Sequence, residues 1–175
     1  METNTAQQES AQQESMMAKP QKEHQWLQKL VGEWIYEAEA VMGPDRPPEK
    51  STGNETVRSL GELWIVAEGE GEMPGCGIAE TMMTIGYNPQ KQRFVGSWVG
   101  SMVDYLWVYD GELNASETVL TLNNEGPSMS DPEKMAKYKD VIEFKNDNHR
   151  IMTSHLLGDD GQWHQFMTVN YQRKQ

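Results

Sequence analysis

From Glu33 almost to the end of the chain, apolar and polar residues alternate with a period of two, in short runs broken by turn-forming residues. Successive side chains of a β-strand point to opposite faces, so this rhythm marks strands with one wet face and one dry face. Runs rich in Val, Ile, Thr, Trp and Tyr lie at 33–42, 51–60, 63–73, 78–87, 93–100, 104–113, 118–123, 138–145, 150–157 and 162–172. Turn signals such as "GPDRPP", "MPGCG", "YNPQKQRF" and "GDDG" separate them. So many short strands on tight connections imply an antiparallel meander, and closing a long meander removes its exposed edges. The predicted fold is all-β: an up-and-down antiparallel β-barrel of about ten strands.

Before the strands, "KPQKEHQWLQKLVG" has Pro20 suited to a first helical turn, Gly32 suited to follow the last, and an apolar stripe of Trp26, Leu27, Leu30 and Val31. This predicts a short amphipathic helix that closes one end of the barrel. "DPEKMAKY" (Asp131 to Tyr138) is a second candidate for one or two helical turns. The N-terminal repeat "AQQESAQQES" is polar, with no aromatic or β-branched residue, and cannot bury enough surface to offset ordering. Residues 1–18 are expected to form a disordered tail and 19–175 a single barrel domain.

The strand patterns also assign faces. Trp34, Tyr36, Ala38 and Met42 share one face of the first strand, and Glu33, Glu37 and Glu39 share the other. In "MMTIGYNPQKQRFVGSW", setting Asn88 opposite Arg93 aligns Tyr87 with Phe94 and Met83 with Trp98. A two-residue turn at Asp159 and Asp160 would pair Met152 with Met167, Ser154 with Gln165 and Leu156 with Trp163 on the inner face. On the outer face Thr153 would meet Phe166 and His155 would meet His164. A three-residue turn at Asp147 to His149 would set Ile142 opposite Ser154 and Phe144 opposite Met152, which points Asp140 inward.

Charge narrows the function classes. Fifteen basic against 27 acidic residues leave a net charge of −12, which argues against nucleic acid or an anionic membrane as partner. Cys76 is the one cysteine, so no intramolecular disulfide can form; with no secretion signal recognisable, the expected location is cytoplasmic. Cys76 itself reads as a small residue in a turn. His155 and His164 could approach a shared metal, but without a third ligand at motif spacing a solvated pair is favoured, and no metal or cofactor is expected. No histidine is expected in the interior, His24 lying on the helix and His149 in a turn.

The candidate ligand-binding residues are the inward set: Trp34, Tyr36, Trp98, Trp107, Asp140, Ser154, Trp163, Gln165 and Met167. Aromatic rings and methionines make a soft interior, and Asp140, Ser154 and Gln165 would orient a polar end. Core filling is the plain alternative for the rings, and a rim residue satisfied by a backbone or indole N–H is the plain alternative for Asp140. No nucleotide-binding loop, nucleophile elbow or Cys pair is present.

"LVGEW" after a short helix resembles the Gly-x-Trp opening of lipocalins and other calycins. "TMMTIGYNPQKQRFVGSWVGSM", "LWVYDGEL", "LTLNNEGPSM", "KYKDVIEF" and "LLGDDGQWHQFM" together resemble an uncharacterised bacterial family, the domain of unknown function 1579 family, over about Gln21 to Lys174. The resemblance implies a lipocalin/calycin-like barrel and no established activity, substrate or catalytic residue. The chain departs from typical lipocalins in lacking a signal peptide and a disulfide. The expected function is binding of a small hydrophobic or amphipathic molecule in the barrel. The alternatives are an isomerase- or lyase-type enzyme using the inward Asp140, and a filled-barrel interaction protein whose outward Phe166 permits a homodimer patch.

Overall fold

A computed structural model describes residues 18–41, 43, 45–75 and 77–175. The expectations for the N-terminal tail up to residue 17, for Met42 and for Cys76 lie outside the described residues. Within them, helix α1 (Lys22–Leu27) runs into a 3-10 turn (Gln28–Leu30). Strands β1 (Gly32–Ala40), β2 (Glu49–Leu60), β3 (Trp64–Met73), β4 (Gly77–Asn88) and β5 (Arg93–Gly100) follow. Then come β6 (Trp107–Leu113), β7 (Val119–Pro127), β8 (Met135–Asn146), β9 (His149–Leu157) and β10 (Trp163–Arg173). Each strand pairs antiparallel with its neighbour in sequence, and β10 pairs with β1 to close the barrel. The "DPEKMAKY" stretch is a correction: residues 131–134 form a turn closed by Lys134 N–H donating to Asp131 C=O, and Met135 already belongs to β8.

Closure divides the interior into two halves. At the helix end the chain is packed solid: Trp34, Leu27, Ile65, Ile85, Leu120, Leu122 and Ile142 have no exposed surface. Helix α1 plugs this end as its stripe requires. Trp26 packs edge-on against Phe94 and Phe144 at ring separations of 6.1 and 5.7 Å, and its Nε1–H donates to Glu117 C=O at 2.7 Å. His24, expected on the helix surface, is buried beneath it. Its Nδ1 accepts from Gln21 N–H (2.9 Å) and its Nε2 donates to Tyr87 C=O (3.2 Å), so this histidine is used up in tying helix to barrel.

Trp34 is held just as tightly. Its Nε1–H donates to Leu30 C=O (2.9 Å), and its ring lies between the guanidinium groups of Arg150 (4.7 Å) and Arg173 (4.2 Å). Arg173 in turn donates to the carbonyls of Val31 (2.7 Å), Lys29 (2.8 Å) and Asp147 (3.1 Å), clamping the last strand over the first.

The β4–β5 register is the expected one, Asn88 opposite Arg93 and Met83 opposite Trp98. The last two hairpins differ from expectation, both because of a β-bulge. The turn before β10 closes between Gly158 and Gln162, with Gly161 at φ 75°, a left-handed conformation that glycine adopts without strain. A second irregularity between Gln165 and Met167 leaves Phe166 unpaired. The pairs are therefore Met152 with Val169, Ser154 with Met167, His155 with Gln165, Leu156 with His164 and Leu157 with Trp163. In the β8–β9 hairpin a bulge between Phe144 and Asn146 produces Asp140–Ser154, Ile142–Met152 and Phe144–Arg150. A bulge changes parity just as an odd turn does, which is why Asp140, Ile142 and Phe144 still face inward although their partners shift.

Candidate functional site

The half of the barrel away from the helix is the mouth, where β1 runs out and β2 begins. Here Tyr36, Ala38, Trp98, Trp107, Met152, Leu156 and Met167 take inward positions in the alternation yet are only half-buried, in contrast to the sealed residues below. One wall, on β1 to β4, is built of small residues: Ala38, Ser51, Gly53, Gly69, Gly71 and Ala79. Tyr36 lies flat across Gly53 and Gly71, where a β-carbon at either position would collide with its ring or hydroxyl. The opposite wall is aromatic. Tyr105, Trp107, Tyr138 and Phe166 meet edge-to-face in sequence, at ring separations of 5.1, 5.1 and 6.2 Å. Trp107 rests on Gly126, whose missing side chain makes room for the indole.

The floor of this cup is polar. Asp140 on β8 accepts hydrogen bonds from Tyr109 on β6 (2.8 Å) and Ser154 on β9 (2.5 Å), one on each carboxylate oxygen. Burial raises the pKa of Asp140 above the ordinary carboxylate value, and the bonds from Ser154 and Tyr109 oppose that rise by favouring the ionised form. The Tyr109 hydroxyl is pushed well up, first by burial and then by the charge of Asp140. Deeper, Arg150 on β9 is bonded to Glu55 on β2, both of them buried. The Arg150 guanidinium stacks on Tyr171 at 3.8 Å, and its Nε lacks a hydrogen-bond partner. Tyr171 has its pKa raised by burial and by Glu55, with Arg150 opposing. Asn124 on β7 sits between Tyr109 and Tyr138; it is buried, and its Oδ1 has no partner.

Of the residues expected to line a cavity, Tyr36, Trp98, Trp107, Asp140, Ser154 and Met167 converge on the cup or its floor. Three do not line it. Trp34 is sealed between two arginines and contributes structure. Trp163 is turned outward, 39% exposed, with Lys139 Nζ 4.4 Å from its ring centre. Gln165 is exposed and donates to Thr168 Oγ1 at 2.8 Å. Both Trp163 and Gln165 were placed by a two-residue turn; the longer turn moves them to the other face, and the bulge then brings Met167 back in. The same bulge turns Phe166 toward Tyr138, half-buried, which removes the outward patch expected of it. His155 and His164 pair with different residues and occupy opposite faces. His155 meets Thr153 Oγ1 at 3.0 Å, and His164 Nε2 meets Asp160 at 2.8 Å. Among the described residues no three His, Cys, Asp or Glu side chains are grouped to hold a metal.

Sequence reasoning missed Tyr109, Asn124, Glu55, Arg150 and Tyr171. Arg150 was within reach, since it shares parity with Met152 and Ser154. Glu55 likewise shares parity with Val57. A surface depression of about 950 Å³ is on the outer face of β10, β1, β2 and β3, among Ile35, Glu37, Asn54, Glu70, Ile78 and Asn170. It is open and mixed in character, whereas the cup gathers the aromatic rings and the half-buried acid.

A family described as "Protein of unknown function (DUF1579)" matches residues 19–173. The chain belongs to the DUF1579 family. No curated protein matches this DUF1579 chain. Among solved structures it is similar to the S-type phycobiliprotein lyase CPES from Guillardia theta, at 10% identity and a TM-score of 0.58 over 86% of this chain and 92% of that one. It is also similar to Rv2717c from M. tuberculosis, at 10% identity and a TM-score of 0.59 over 86% of this chain and 96% of that one. At such identity the likeness establishes a shared lipocalin-like barrel and nothing about activity. No helix among the described residues of this DUF1579 protein is long and apolar enough to cross a membrane.

Proposed function

We propose that this protein is a non-catalytic binding module that holds one small amphipathic molecule in the mouth half of its barrel. The apolar body would lie against Trp98, Trp107 and Met167, and the polar end would reach Asp140 and Ser154. The supporting observation is the half-buried carboxylate of Asp140, held by Tyr109 and Ser154, at the base of an aromatic cup whose lining is also only half-buried. Each ~100 Å² of apolar ligand surface buried would contribute about 2.5 kcal/mol before association costs, so a ligand of fatty-acid size can reach micromolar affinity. The half-buried lining also weighs against a side-chain-filled barrel acting only as a scaffold. We place the protein in the cytoplasm on its single cysteine.

Titration with environment-sensitive lipophilic dyes, followed by quenching of Trp98 and Trp107, tests the reading. Saturable one-to-one binding supports it, and no saturable binding by any dye defeats it. A second reading is favoured by the raised pKa of Asp140: proton transfer to or from a bound substrate, as in an isomerase or lyase. In that case Asp140→Asn would keep the fold and ligand affinity while abolishing turnover.

A further inference from the structure

Resting on the binding reading above, we infer that the lumen selects a ligand whose polar end is a nitrogen-bearing hydrogen-bond donor, such as a protonated amine, an amidine or an N–H heteroaromatic, over a carboxylate or phosphate. The charges at inward positions of the described strands are Glu49 at the rim, Glu55, Asp140, Arg150 and, at the helix end, Arg173; His164, at the mouth opposite Leu156, is paired with Asp160. Both arginines of this set are already committed, Arg173 to the carbonyls of Val31, Lys29 and Asp147 beneath Trp34. Arg150 is 1% exposed, its Nη2 is bonded to Glu55, and its faces are covered by the rings of Tyr171 and Trp34. The Arg150 Nε–H has no partner, but it is sealed under those rings, so an incoming anion would have to part the rings or displace Glu55 from a buried pair to reach it. The nearby lysines do not help: Lys139 sits on the outer face over Trp163, and Lys134 pairs with Asp131.

Acceptors, by contrast, are in surplus. An ionised carboxylate offers about four lone-pair sites, and Asp140 uses two of them on Tyr109 and Ser154. Asn124, 7% exposed and facing the same interior, has an Oδ1 with no donor at all. The half-buried rings of Trp98 and Trp107 line the rim, and aromatic surroundings favour a cation over an anion. Half-buried acid, orphaned acceptor and aromatic rim all favour the same sign of ligand.

Matched probes on one apolar body test this: 1-naphthylmethylamine, 1-naphthoate and the neutral 1-naphthalenemethanol, titrated into the full chain at neutral pH. The amine is expected to bind at least about tenfold tighter than the carboxylate, the scale of one charge-assisted hydrogen bond. Asp140→Asn should erase most of that preference, bringing the amine to within about twofold of the alcohol, and near-ultraviolet circular dichroism checks that the variant is folded. Ser154→Ala keeps the Asp140 charge and should keep the preference, which gives a second variant if Asp140→Asn does not fold. Equal binding of all three probes, or tighter binding of the carboxylate, overturns the inference alone. Binding of none of them overturns the lumenal reading and the inference with it.

Discussion

Arg150 and Glu55 form a buried ion pair across the lumen between strands that are not neighbours in the sheet, 95 residues apart in sequence. Replacing Arg150 alone with Met leaves the Glu55 carboxylate buried without a partner, a change that typically costs about 3–5 kcal/mol. For a chain of 175 residues, at about 2–4 °C per kcal/mol, the melting temperature should fall by about 6–20 °C. Replacing both, Arg150→Met with Glu55→Leu, removes the stranded charge. What is then lost is the stacking of the guanidinium on Tyr171 and Trp34, about 1–2 kcal/mol, partly recovered by thioether–ring contacts. The double variant should therefore lie within about 2 kcal/mol of the parent; with either single change costing about 3–5 kcal/mol, the coupling energy between the two sites is at least about 4 kcal/mol. Urea unfolding followed by tryptophan fluorescence measures all four corners of the cycle. If the Arg150→Met variant loses less than about 1 kcal/mol, or the two substitutions simply add, the two residues are not the sealed, mutually dependent pair described beneath the floor. The claim that Arg150 is closed to anionic ligands would fall with it.

Other outcomes follow from the same geometry. Because burial raises the pKa of Asp140 above 3.8, the folded chain keeps a proton that the unfolded chain releases, and stability from this group is lost as pH rises through that window. Tyr109 bonds to it and Tyr171 feels its charge, and both tyrosines, raised by burial, do not titrate there. Asp140→Asn should accordingly gain melting temperature relative to the parent as pH increases toward neutrality; a constant difference across pH would contradict this. Gly126→Ala drives a β-carbon into the Trp107 ring and should cost about 1–3 kcal/mol while shifting the tryptophan emission; an unchanged spectrum would show that Trp107 does not rest there. Trp163→Ala should leave dye affinity unchanged and cost about 1 kcal/mol or less in thermal unfolding, since its ring is outside with Lys139; a large loss of affinity would return Trp163 to the lumen.

The barrel was readable because alternation is a local property. All ten strands occur where the two-residue rhythm placed them, and the first strand, the β4–β5 hairpin and the inward turn of Asp140 follow from parity alone. The failures lie where one residue of irregularity outweighs the rhythm. A longer turn at Gly158 to Gln162 moves Trp163 and Gln165 to the outside, a bulge at Phe166 returns Met167 to the inside, and nothing in "GDDGQWHQFM" marks which residue will be left unpaired. The polar floor was illegible for another reason. Glu55 and Arg150 each look like an ordinary solvated charge, and they become partners only when closure brings β2 and β9 face to face across the interior. The Asp131 to Tyr138 stretch, helical by composition, is taken over by pairing of β8 with β7 from Met135 onward.

The most direct measurement is the affinity of a saturating lipophilic dye for the parent chain and for two single variants. Ala38→Phe adds bulk to the small-residue wall inside the mouth, and Ile78→Glu changes the outer depression. Binding inside the barrel predicts one-to-one saturation that Ala38→Phe weakens at least about tenfold, a loss on the scale of one steric clash, and that Ile78→Glu leaves intact. Affinity unmoved by Ala38→Phe and lost in Ile78→Glu would put the ligand on the outer face and contradict the account.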